Sequence, residues 1–254
     1  MLIKDKKKLN KNLKISVITV TKNSDKFLEE NINSLQNQTY KNFEHIIIDG
    51  NSTDRTIEII KKNNNKIHYW ISEPDEGLYD AMNKGIEASN GDIIGILNSD
   101  DIYFPDALKI VNRYFSEKEN LDFLFGTVEK HKLMHGYYPK KIKWTFGFYT
   151  THSVGFFIKK SSQMKIGLYD KQFKYSADYD LFYRMIVKKK MFGVSTEKNE
   201  IIGKFRQGGL SSKIKYLDFL KENNKIRINN GQNFVIVYII FILRLLRNFK
   251  NIFK

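Results

Sequence analysis

Carboxylate side chains follow two apolar runs of the chain, at positions where strands of a sheet would end. Asp100 and Asp101 come directly after the apolar run 93–97, and Asp49 ends the β-branched run that begins at residue 43. Paired carboxylates are hard oxygen ligands for Mg²⁺ or Mn²⁺, and such an ion usually bridges substrate phosphates. Alternatively, Asp101 or Asp106 could simply cap the next helix, and Asp49-Gly50 could be a simple turn. The spacing alone leaves a metal–nucleotide site and plain local structure both open.

Two further segments place polar groups where helices are predicted to begin. The segment 73–85 puts three acids and Gly77 ahead of a helix that carries Gly85 in its interior. A glycine inside a helix costs ~1 kcal/mol relative to alanine, so Gly85 predicts the close approach of a backbone or a ligand. Asp178 opens another predicted helix, where the helix dipole stabilises a carboxylate as the anion. That position suits a general base as readily as a helix cap.

Alternating strands and helices position these groups in the first half of the chain. A short β-branched run predicts a buried strand at 15–20, and further strands are predicted at 43–48, 66–71 and 92–97. Apolar residues at helical spacing predict helices between them, one over 26–37 with Ser24 or Asp25 as its cap, and one over 78–88. This alternation predicts an α/β fold with a mainly parallel central sheet. Such sheets bind ligands at the carboxyl ends of their strands, where the acids lie.

The alternation becomes irregular after residue 120. Shorter strands are predicted at 121–128, 154–158, 191–195 and 201–206, with a helix near 178–190. Because no linker rich in proline, glycine or serine intervenes, we expect a single domain over 15–212. Its nucleotide-binding half would be 15–120 and its acceptor half 121–212. A basic N-terminal extension (1–14) and a helical tail (213–254) would flank this domain.

The net charge of +15 is concentrated at the two ends of the chain. Residues 1–14 contribute +5 and residues 213–254 contribute +7, whereas the 198 residues between them contribute only +3. This distribution favours membrane-surface contacts at the ends over a groove that follows nucleic-acid phosphates. The absence of cysteine excludes disulfides, thiolate metal sites and a cysteine nucleophile. The lysine-rich first fifteen residues do not have the pattern of a secretory signal, so we expect a cytoplasmic protein.

The C-terminal tail combines an apolar run with a basic amphipathic segment. Residues 234–243 carry no charge, but a helix that crosses a bilayer needs ~20 apolar residues. From Arg244 onward, basic and apolar residues fall on opposite faces of a helix. This pattern is typical of a helix that lies in a membrane interface, which predicts peripheral attachment to the inner face of the cell membrane. The alternative is a helix packed on its own domain or on the partner in a homodimer.

Seven segments, in this order and spacing, resemble the family 2 glycosyltransferases with the GT-A fold. The resemblance covers residues 14–212. The order and spacing of the segments are similar to those of the subgroup that builds bacterial O-antigen, lipooligosaccharide and capsule chains. The segments are SVITVTKN (16–23), DGNSTD (49–54), DEGLYDAMNKG (75–85), LNSDD (97–101), HSVGFF (152–157), SADYD (176–180) and FRQGGLSS (205–212). Each segment alone is a weak signal, whereas seven in order are specific.

The resemblance implies a role for each matched residue. Asp178 would be the catalytic base, and Asp100 would be the last acid of a DxD-type motif that holds Mg²⁺ or Mn²⁺ with help from Asp101. Thr21 and Asp49 would contact the nucleoside of the nucleotide-sugar donor. The other donor-binding residues implied by the resemblance are Asn23, Gly77, Asn83, Lys84 and Ser99. Attack by an acceptor hydroxyl on the anomeric carbon would then invert that carbon without an enzyme nucleophile.

Several positions depart from the family pattern. Asn98 replaces the first acid of the metal motif, and Met82 stands where an arginine is common, with Lys84 nearby. Gln207 stands where some relatives have a histidine that reaches the metal, so no third ligand is assigned. His152 matches the subgroup and would line the acceptor site, although a lone histidine is more often structural.

The resemblance also implies a substrate class, with UDP as the default nucleotide and a saccharide, plausibly lipid-linked, as the acceptor. The Gln-x-x-Arg-Trp motif of processive relatives does not occur, which implies single transfers. Two other classes stay open as alternatives. A nucleotidyltransferase that makes the activated sugar would have a glycine-rich loop after the first strand, and residues 16–25 contain no glycine. A non-catalytic scaffold would be expected to lose acids that this chain retains at positions 49, 100 and 178.

Overall fold

The structure is a computed structural model and describes residues 11–144, 153–206 and 215–249. In the first half, strands and helices alternate: β1 (Ile15–Thr21), α1 (Leu28–Gln36), β2 (Phe43–Asp49), α2 (Thr56–Lys62), β3 (Tyr69–Ser72), α3 (Leu78–Ala88), β4 (Ile93–Ile96), β5 (Ile102–Tyr103) and α4 (Ala107–Glu117). The second half contains β6 (Phe123–Phe125), β7 (Thr127–Glu129), β8 (Leu133–Met134), β9 (Phe156–Lys159), α5 (Lys160–Ile166), α6 (Ala177–Tyr183), β10 (Gly193–Ser195), β11 (Ile201–Lys204), α7 (Tyr216–Asn229) and α8 (Phe234–Arg247).

A seven-stranded sheet forms the centre of the fold, in the order β10-β6-β9-β4-β1-β2-β3. Only β9 runs antiparallel to its neighbours β4 and β6, and the other pairs are parallel. All seven residues of β1 are buried, because apolar clusters cover both faces of the sheet. The predicted α/β fold with a mostly parallel central sheet is therefore confirmed. A smaller four-stranded sheet, in the order β5-β11-β7-β8, adjoins it.

The register of the parallel strands aligns their carboxyl ends at one edge of the sheet. Thr21 at the end of β1 is opposite Asp49 at the end of β2, which in turn is opposite Ser72 of β3. On the other side of β1, Ile18 is opposite Ile96 at the end of β4. The turn 98–101 consequently emerges at the same edge as Thr21 and Asp49. The fold thus brings the strand-end acids of the sequence together.

Local structure differs from the sequence-based expectations at three places. Helix α1 is not capped by the side chain of Ser24 or Asp25; the main-chain oxygen of Ser24 accepts hydrogen bonds from the N–H groups of Phe27 and Leu28 instead. The predicted strand 121–128 is interrupted at Gly126, where an added Cβ would overlap the side chain of Ile202. The predicted helix 178–190 is a short α-helix, α6, that continues into a π-helical turn.

Gly85 lies in the interior of α3, as predicted, and the reason is a close approach to the sheet. A Cβ at this position would overlap the Cγ2 atom of Ile18 in β1. The neighbour is therefore a core side chain and not a ligand or a backbone segment. The missing side chain lets α3 pack directly on the central strands.

The two C-terminal helices differ in how they are packed. Helix α7 buries Leu220, Ile226 and Arg227 against the domain, so this part of the predicted tail 213–254 belongs to the packed structure. Helix α8 buries only Val237 and Ile240, and most of its other apolar side chains are exposed. Within the described residues, no helix combines the length and the apolar character needed to cross a membrane.

Candidate active site

Thr21 and Asp49 form the centre of the strand-end edge. The carboxylate of Asp49 is fully buried and accepts hydrogen bonds from the Ser52 N–H (2.9 Å), the Ser52 hydroxyl (2.5 Å) and the Ser72 hydroxyl (2.7 Å). In this arrangement Asp49 fixes the loop that follows β2. The hydroxyl of Thr21 is buried, and no residue in the described part of the chain provides it with a hydrogen-bond partner. Buried polar groups are normally hydrogen-bonded, so the missing partner marks Thr21 as a candidate for a ligand contact.

Asn23 connects the loops that follow β1 and β2. Its backbone has a positive φ of 51°, a conformation that asparagine tolerates better than most residues. The Asn23 Oδ1 atom accepts a hydrogen bond from the Thr53 N–H (2.9 Å), and the Asn23 N–H donates to the Ser52 hydroxyl (2.8 Å). These bonds hold the two loops side by side and thereby shape the predicted nucleoside site.

The loop before α3 extends over the same edge. Asp75 accepts a hydrogen bond from the N–H of Gly77 (3.0 Å), and its carboxylate lies so close to Gly50 that a Cβ there would overlap it. Gly77 has a φ of 121°, which glycine adopts without strain, and open space surrounds its Cα. The segment 75–77 therefore covers the start of the loop after β2 and leaves room above the N-terminus of α3.

Helix α1 holds the turn 98–101 in place directly. The Asn31 Nδ2 atom donates to the carbonyl oxygens of both Asn98 and Asp101, at 2.9 Å each. The hydroxyl of Ser99 donates to that of Ser24 (2.9 Å), which links the turn to the loop after β1. The turn is thus fixed at both sides, and Asn31 is a functional candidate that the sequence analysis missed.

Asp101 is a structural carboxylate in this arrangement. It is fully buried, and its Oδ1 atom accepts a hydrogen bond from the N–H of Arg206 (2.9 Å). Burial, and next the negative charge of Asp100, raise the pKa of Asp101 to about 8. Asp101 does not cap the next helix, because α4 begins after Asp106, which occupies the N-cap position without a capping hydrogen bond from its side chain. A direct role for Asp101 as a metal ligand stays a prediction.

The residues at this turn fit a divalent ion that the donor phosphates and water also ligate. Asp100 is partly exposed, and within the described residues no other residue donates a hydrogen bond to its carboxylate. Burial raises its pKa above the ordinary range. The buried Oδ1 atom of Asn98 likewise has no partner there. The described ranges contain no cluster of three or more His, Cys, Asp or Glu that could hold a metal.

Asp178 lies in the first turn of α6, facing α3. Its Oδ1 atom accepts hydrogen bonds from the N–H of Tyr179 (2.8 Å) and from the hydroxyl of Tyr79 (3.3 Å). Burial raises the pKa of Asp178 to about 6, and these two hydrogen bonds partly oppose that shift. At neutral pH the carboxylate is mostly ionised, yet it is much more basic than an ordinary aspartate. A pKa near the working pH is the property required of a general base.

Helix α7 supports the start of α6. The carboxylate of Glu222 accepts hydrogen bonds from the N–H groups of Lys174 (2.9 Å) and Tyr175 (2.7 Å), in the segment that leads into α6. At the other end of α7, the Asn230 Nδ2 atom donates to Asp180 (2.8 Å). These contacts fix the turn that carries Asp178. Neither Glu222 nor Asn230 could be predicted from the sequence, because nothing in their local pattern points to α6.

Two of the predicted donor-binding residues are engaged elsewhere in the structure. Asn83 is buried, and its amide exchanges two hydrogen bonds of 2.9 Å with the backbone of Tyr169. The ammonium group of Lys84 pairs with Glu73 (2.7 Å) and donates to the carbonyl of Pro74 (3.0 Å). The observed contacts give both residues positioning roles, and direct donor contact stays a prediction for each. His152 and Gln207 lie outside the described residues.

The mostly parallel central sheet and its flanking helices form a GT-A-type fold, and Thr21, Asp49 and the turn 98–101 lie at the carboxyl ends of its strands. Residues 16–188 match the description of Glycosyl transferase family 2. The chain belongs to that family, and it is a glycosyltransferase (EC 2.4) that transfers sugar from a nucleotide-sugar donor. The predictions of the family, the fold and the enzyme class are confirmed.

Three relatives that align with two thirds or more of this chain support the assignment. An uncharacterized glycosyltransferase of Mycobacterium tuberculosis is 32% identical over 177 residues, which cover 67% of this chain and 68% of the relative. An uncharacterized glycosyltransferase of Methanocaldococcus jannaschii is 30% identical over 198 residues, or 72% of this chain and 68% of the relative. A Mycobacterium bovis protein named as a PGL/p-HBAD biosynthesis glycosyltransferase is 28% identical over 223 residues, or 81% of this chain and 82% of the relative.

Solved structures share the fold at low sequence identity. S. aureus TarS superposes with a TM-score of 0.68 at 18% identity, over 91% of this chain but only 43% of the TarS chain. The mannosyltransferase PcManGT of Pyrobaculum calidifontis, solved with GDP-Man and Mn²⁺, superposes with a TM-score of 0.65 at 13% identity, over 90% of this chain and 68% of its own. These similarities concern the fold.

Proposed function

We propose that the chain is an inverting, metal-dependent and non-processive glycosyltransferase in which Asp178 is the catalytic base. The observation that carries this proposal is the setting of Asp178. It is a partly exposed carboxylate at a helix start, bonded by Tyr79, with a pKa raised to about 6. The structural carboxylate of Asp101 also has a raised pKa, but Asp101 is fully buried and bonded to the Arg206 N–H, whereas Asp178 is partly exposed. Asp178 keeps a basicity that suits proton transfer near neutral pH.

In the proposed reaction, Asp178 takes the proton from an acceptor hydroxyl as that oxygen attacks the anomeric carbon of the donor sugar. The new bond joins the acceptor oxygen to this carbon, and the bond from the carbon to the phosphate oxygen breaks. The electron pair of the broken bond leaves with the nucleoside diphosphate. Direct displacement inverts the carbon and requires no covalent enzyme intermediate. The Tyr79 hydroxyl and the Tyr179 N–H orient the Asp178 carboxylate for this transfer.

The donor would bind along the strand-end edge. Three features support a site for the nucleoside and its diphosphate there. They are the unpaired hydroxyl of Thr21, the loop fixed by Asn23 and Asp49, and the open space at Gly77. Ser99 would support the diphosphate from the turn 98–101, at which Asp100 would hold Mg²⁺ or Mn²⁺. Such an ion, when bound, neutralises negative charge on the departing diphosphate. PcManGT and GalNAc-T7 were both solved with Mn²⁺, which supports this choice of ion.

The proposed donor is a UDP-sugar, and the proposed acceptor is a lipid-linked saccharide of bacterial surface polysaccharide synthesis. S. aureus TarS was solved with UDP and with UDP-GlcNAc, which supports the nucleotide. Support for a lipid-linked acceptor comes from the chain itself, because the exposed apolar helix α8 packs on α7, which in turn supports the base helix α6. The reaction would then take place at the cytoplasmic face of the membrane.

The experiment that tests the proposal is calorimetric titration of UDP, GDP, dTDP and CMP into the full chain, with Mn²⁺ and with a chelator. We expect one nucleotide to bind at micromolar concentration and only in the presence of metal. The Asp100→Ala variant should lose this metal-dependent binding, whereas the matched control Asp218→Asn, an exposed acid of α7, should retain it. Equal nucleotide binding with and without chelator would refute the proposed role of the metal. No binding of any nucleotide by folded protein would refute the proposed donor site.

A further inference from the structure

Helix α8 presents a continuous apolar stripe to solvent. Its inner face buries Val237 and Ile240, which are only 1% and 9% exposed, whereas Leu246 on the outer face is 69% exposed. The large apolar side chains on the outer face are Val235, Tyr238, Ile239, Ile242, Leu243 and Leu246, and the exposed Phe249 follows just after the end of the helix. They recur at the spacing of a single helix face. We call this set the α8 stripe. An apolar surface this continuous is uncommon unless something covers it in use.

Lysines flank the α8 stripe on both sides. On one side, Lys221 and Lys225 of α7 line a cleft of about 470 Å³ together with Tyr238 of α8. On the other side, Lys143 and Lys188 line a cleft of about 430 Å³ next to Ile236 of α8. All four lysines are exposed. The sequence contains no acidic residue after Glu222, so no carboxylate of α8 offsets this charge.

The exposed Trp144 adds an aromatic group to the same surface. Trp144 is 56% exposed and lines the cleft that also contains Lys143 and Ile236. Its carbonyl accepts a hydrogen bond from Arg244 (3.2 Å), so the basic face predicted from residue 244 onward is directed at the domain at this position. The charges available to an outside partner are therefore the flanking lysines and Arg247, which is exposed. Tryptophan and tyrosine beside lysines are typical of a membrane–water interface.

We propose that the α8 stripe docks into the interfacial layer of a bilayer that contains anionic phospholipids, with the flanking lysines against the head-group phosphates. The helix has 14 residues, about two thirds of the ~20 needed to span the hydrocarbon core, so it would lie parallel to the surface. Apolar side chains at the centre and cations at both edges match the cross-section of such a layer.

A second copy of this chain fits the same surface less well. In a two-fold dimer the same patch lies on both subunits, so two α8 stripes would face each other. The lysines that flank one stripe would then meet the lysines that flank the other, and like charges across an interface oppose association. Of the two acids of α7, Glu222 is already bonded to the backbone of residues 174 and 175, and Asp218 is a single exposed carboxylate against the four flanking lysines. Charge complementarity therefore favours anionic lipid over a dimer.

This docking has a consequence for catalysis that rests on the proposed function. Helix α7 packs on α8 and, through Glu222 and through Asn230 just after its C-terminal end, holds the helix that carries Asp178. A bilayer seated on α8 would bring membrane-bound acceptors to the side of the molecule on which the base helix is supported. The soluble nucleotide sugar would bind independently at the strand-end edge.

Vesicle co-sedimentation of the full chain tests the docking without donor or acceptor. We expect binding to vesicles of equal parts phosphatidylcholine and phosphatidylglycerol and much weaker binding to phosphatidylcholine alone. The double variant Ile239→Glu/Leu246→Glu should lower the partition coefficient about tenfold or more per substituted side chain. Both positions are exposed, so folding should be unaffected, and Met164→Glu on α5, which is 70% exposed, is the matched control.

Two charge-reversal variants distinguish specific contact of the lysines beside α8 with anionic lipid from nonspecific electrostatic binding. Lys221→Glu/Lys225→Glu should abolish the preference for anionic vesicles, whereas Lys61→Glu/Lys62→Glu, an equal charge change on the exposed side of α2, should preserve it. Equal vesicle binding by the α8 variant and wild type would overturn the proposal. The proposal would also be overturned if wild type does not bind vesicles and forms a dimer in sedimentation velocity that Leu246→Glu converts to a monomer. Calorimetric nucleotide binding, measured on the same samples, reports separately on the proposed donor site.

Discussion

Replacing Asp178 with asparagine should make the protein more stable while it inactivates the enzyme. The pKa of Asp178 is raised from 3.8 to about 6 in the folded protein, mainly by burial. Between these values the folded state binds more protons than the unfolded state, so the free energy of unfolding falls as the pH rises. A shift of about two pKa units corresponds to about 3 kcal/mol. The free energy of unfolding has fallen by this full amount once the pH is above the folded-state pKa. Because the carboxyl is partly exposed to water, we expect about 1–3 kcal/mol.

The asparagine variant does not pay this cost, because its side chain is neutral at every pH. Its amide oxygen can still accept the hydrogen bonds from Tyr79 and the Tyr179 N–H. At pH 8 the variant should therefore be about 1–3 kcal/mol more stable than wild type, with a melting temperature higher by roughly 2–10 °C. The difference should shrink steadily as the pH is lowered towards the ordinary aspartate pKa.

Urea unfolding of both proteins, at a series of pH values between about 4 and 8, measures this difference directly. Asp218→Asn, which removes an exposed negative charge from α7, is the control for a general effect of net charge. A variant that is no more stable than wild type at the alkaline end would refute the reasoning. A stabilisation that is equal at all pH values would refute it too, since it would not come from titration of this carboxyl.

Three further substitutions test individual contacts. Tyr79→Phe removes a hydrogen bond that favours the Asp178 anion, so the acid limb of the pH–rate profile should move to higher pH, whereas a purely structural tyrosine would lower the rate without moving it. Asp101→Ala leaves the N–H of Arg206 unpaired and should cost about 1–3 kcal/mol in urea unfolding, more than Asp101→Asn; equal losses would contradict that role. Gly85→Ala forces a Cβ into Ile18 and should cost about 1–3 kcal/mol; a neutral result in thermal unfolding would count against direct helix–sheet packing there.

Local sequence patterns were sufficient for the strand-end edge of the site. The runs that form β1, β2 and β4 are short and rich in isoleucine, valine or threonine, and polar residues follow each of them within two positions. Because parallel strands end at the same edge, their order along the chain already brings Thr21, Asp49 and Asp100 together. The helix 78–88 was predicted with its observed bounds, since its apolar spacing and Gly77 mark it clearly.

Contacts between distant segments could not be predicted in the same way. The hydrogen bond from Tyr79 to Asp178 joins residues 99 positions apart, and the bond from the Arg206 N–H to Asp101 joins residues 105 apart. Asn31, which clamps the metal-motif turn, has no local feature that distinguishes it from other polar residues of a helix. Periodicity describes which face of an element is buried, but the partner across that face depends on the packing of the whole chain.

The tail shows the same limit on a larger scale. The sequence correctly indicated an apolar and a basic character for residues 234–249, but not the direction of each face. In the structure, Arg244 is directed at the carbonyl of Trp144, and the apolar face is the exposed one. Helix α7 had no signal beyond its charge, yet Glu222 and Asn230 make it a support of the base helix.

The most direct test of the central claim is the pH dependence of nucleotide release from the donor sugar, measured for wild type, Asp178→Asn and the control Asp218→Asn. Wild type and the control should gain activity as the pH rises through about 6, the pKa of Asp178. Asp178→Asn should lose about 10²–10⁴-fold in rate and have no such limb, while its calorimetric affinity for the nucleotide stays close to that of wild type. An asparagine variant with near wild-type rates and the same pH limb would contradict the assignment of Asp178 as the base.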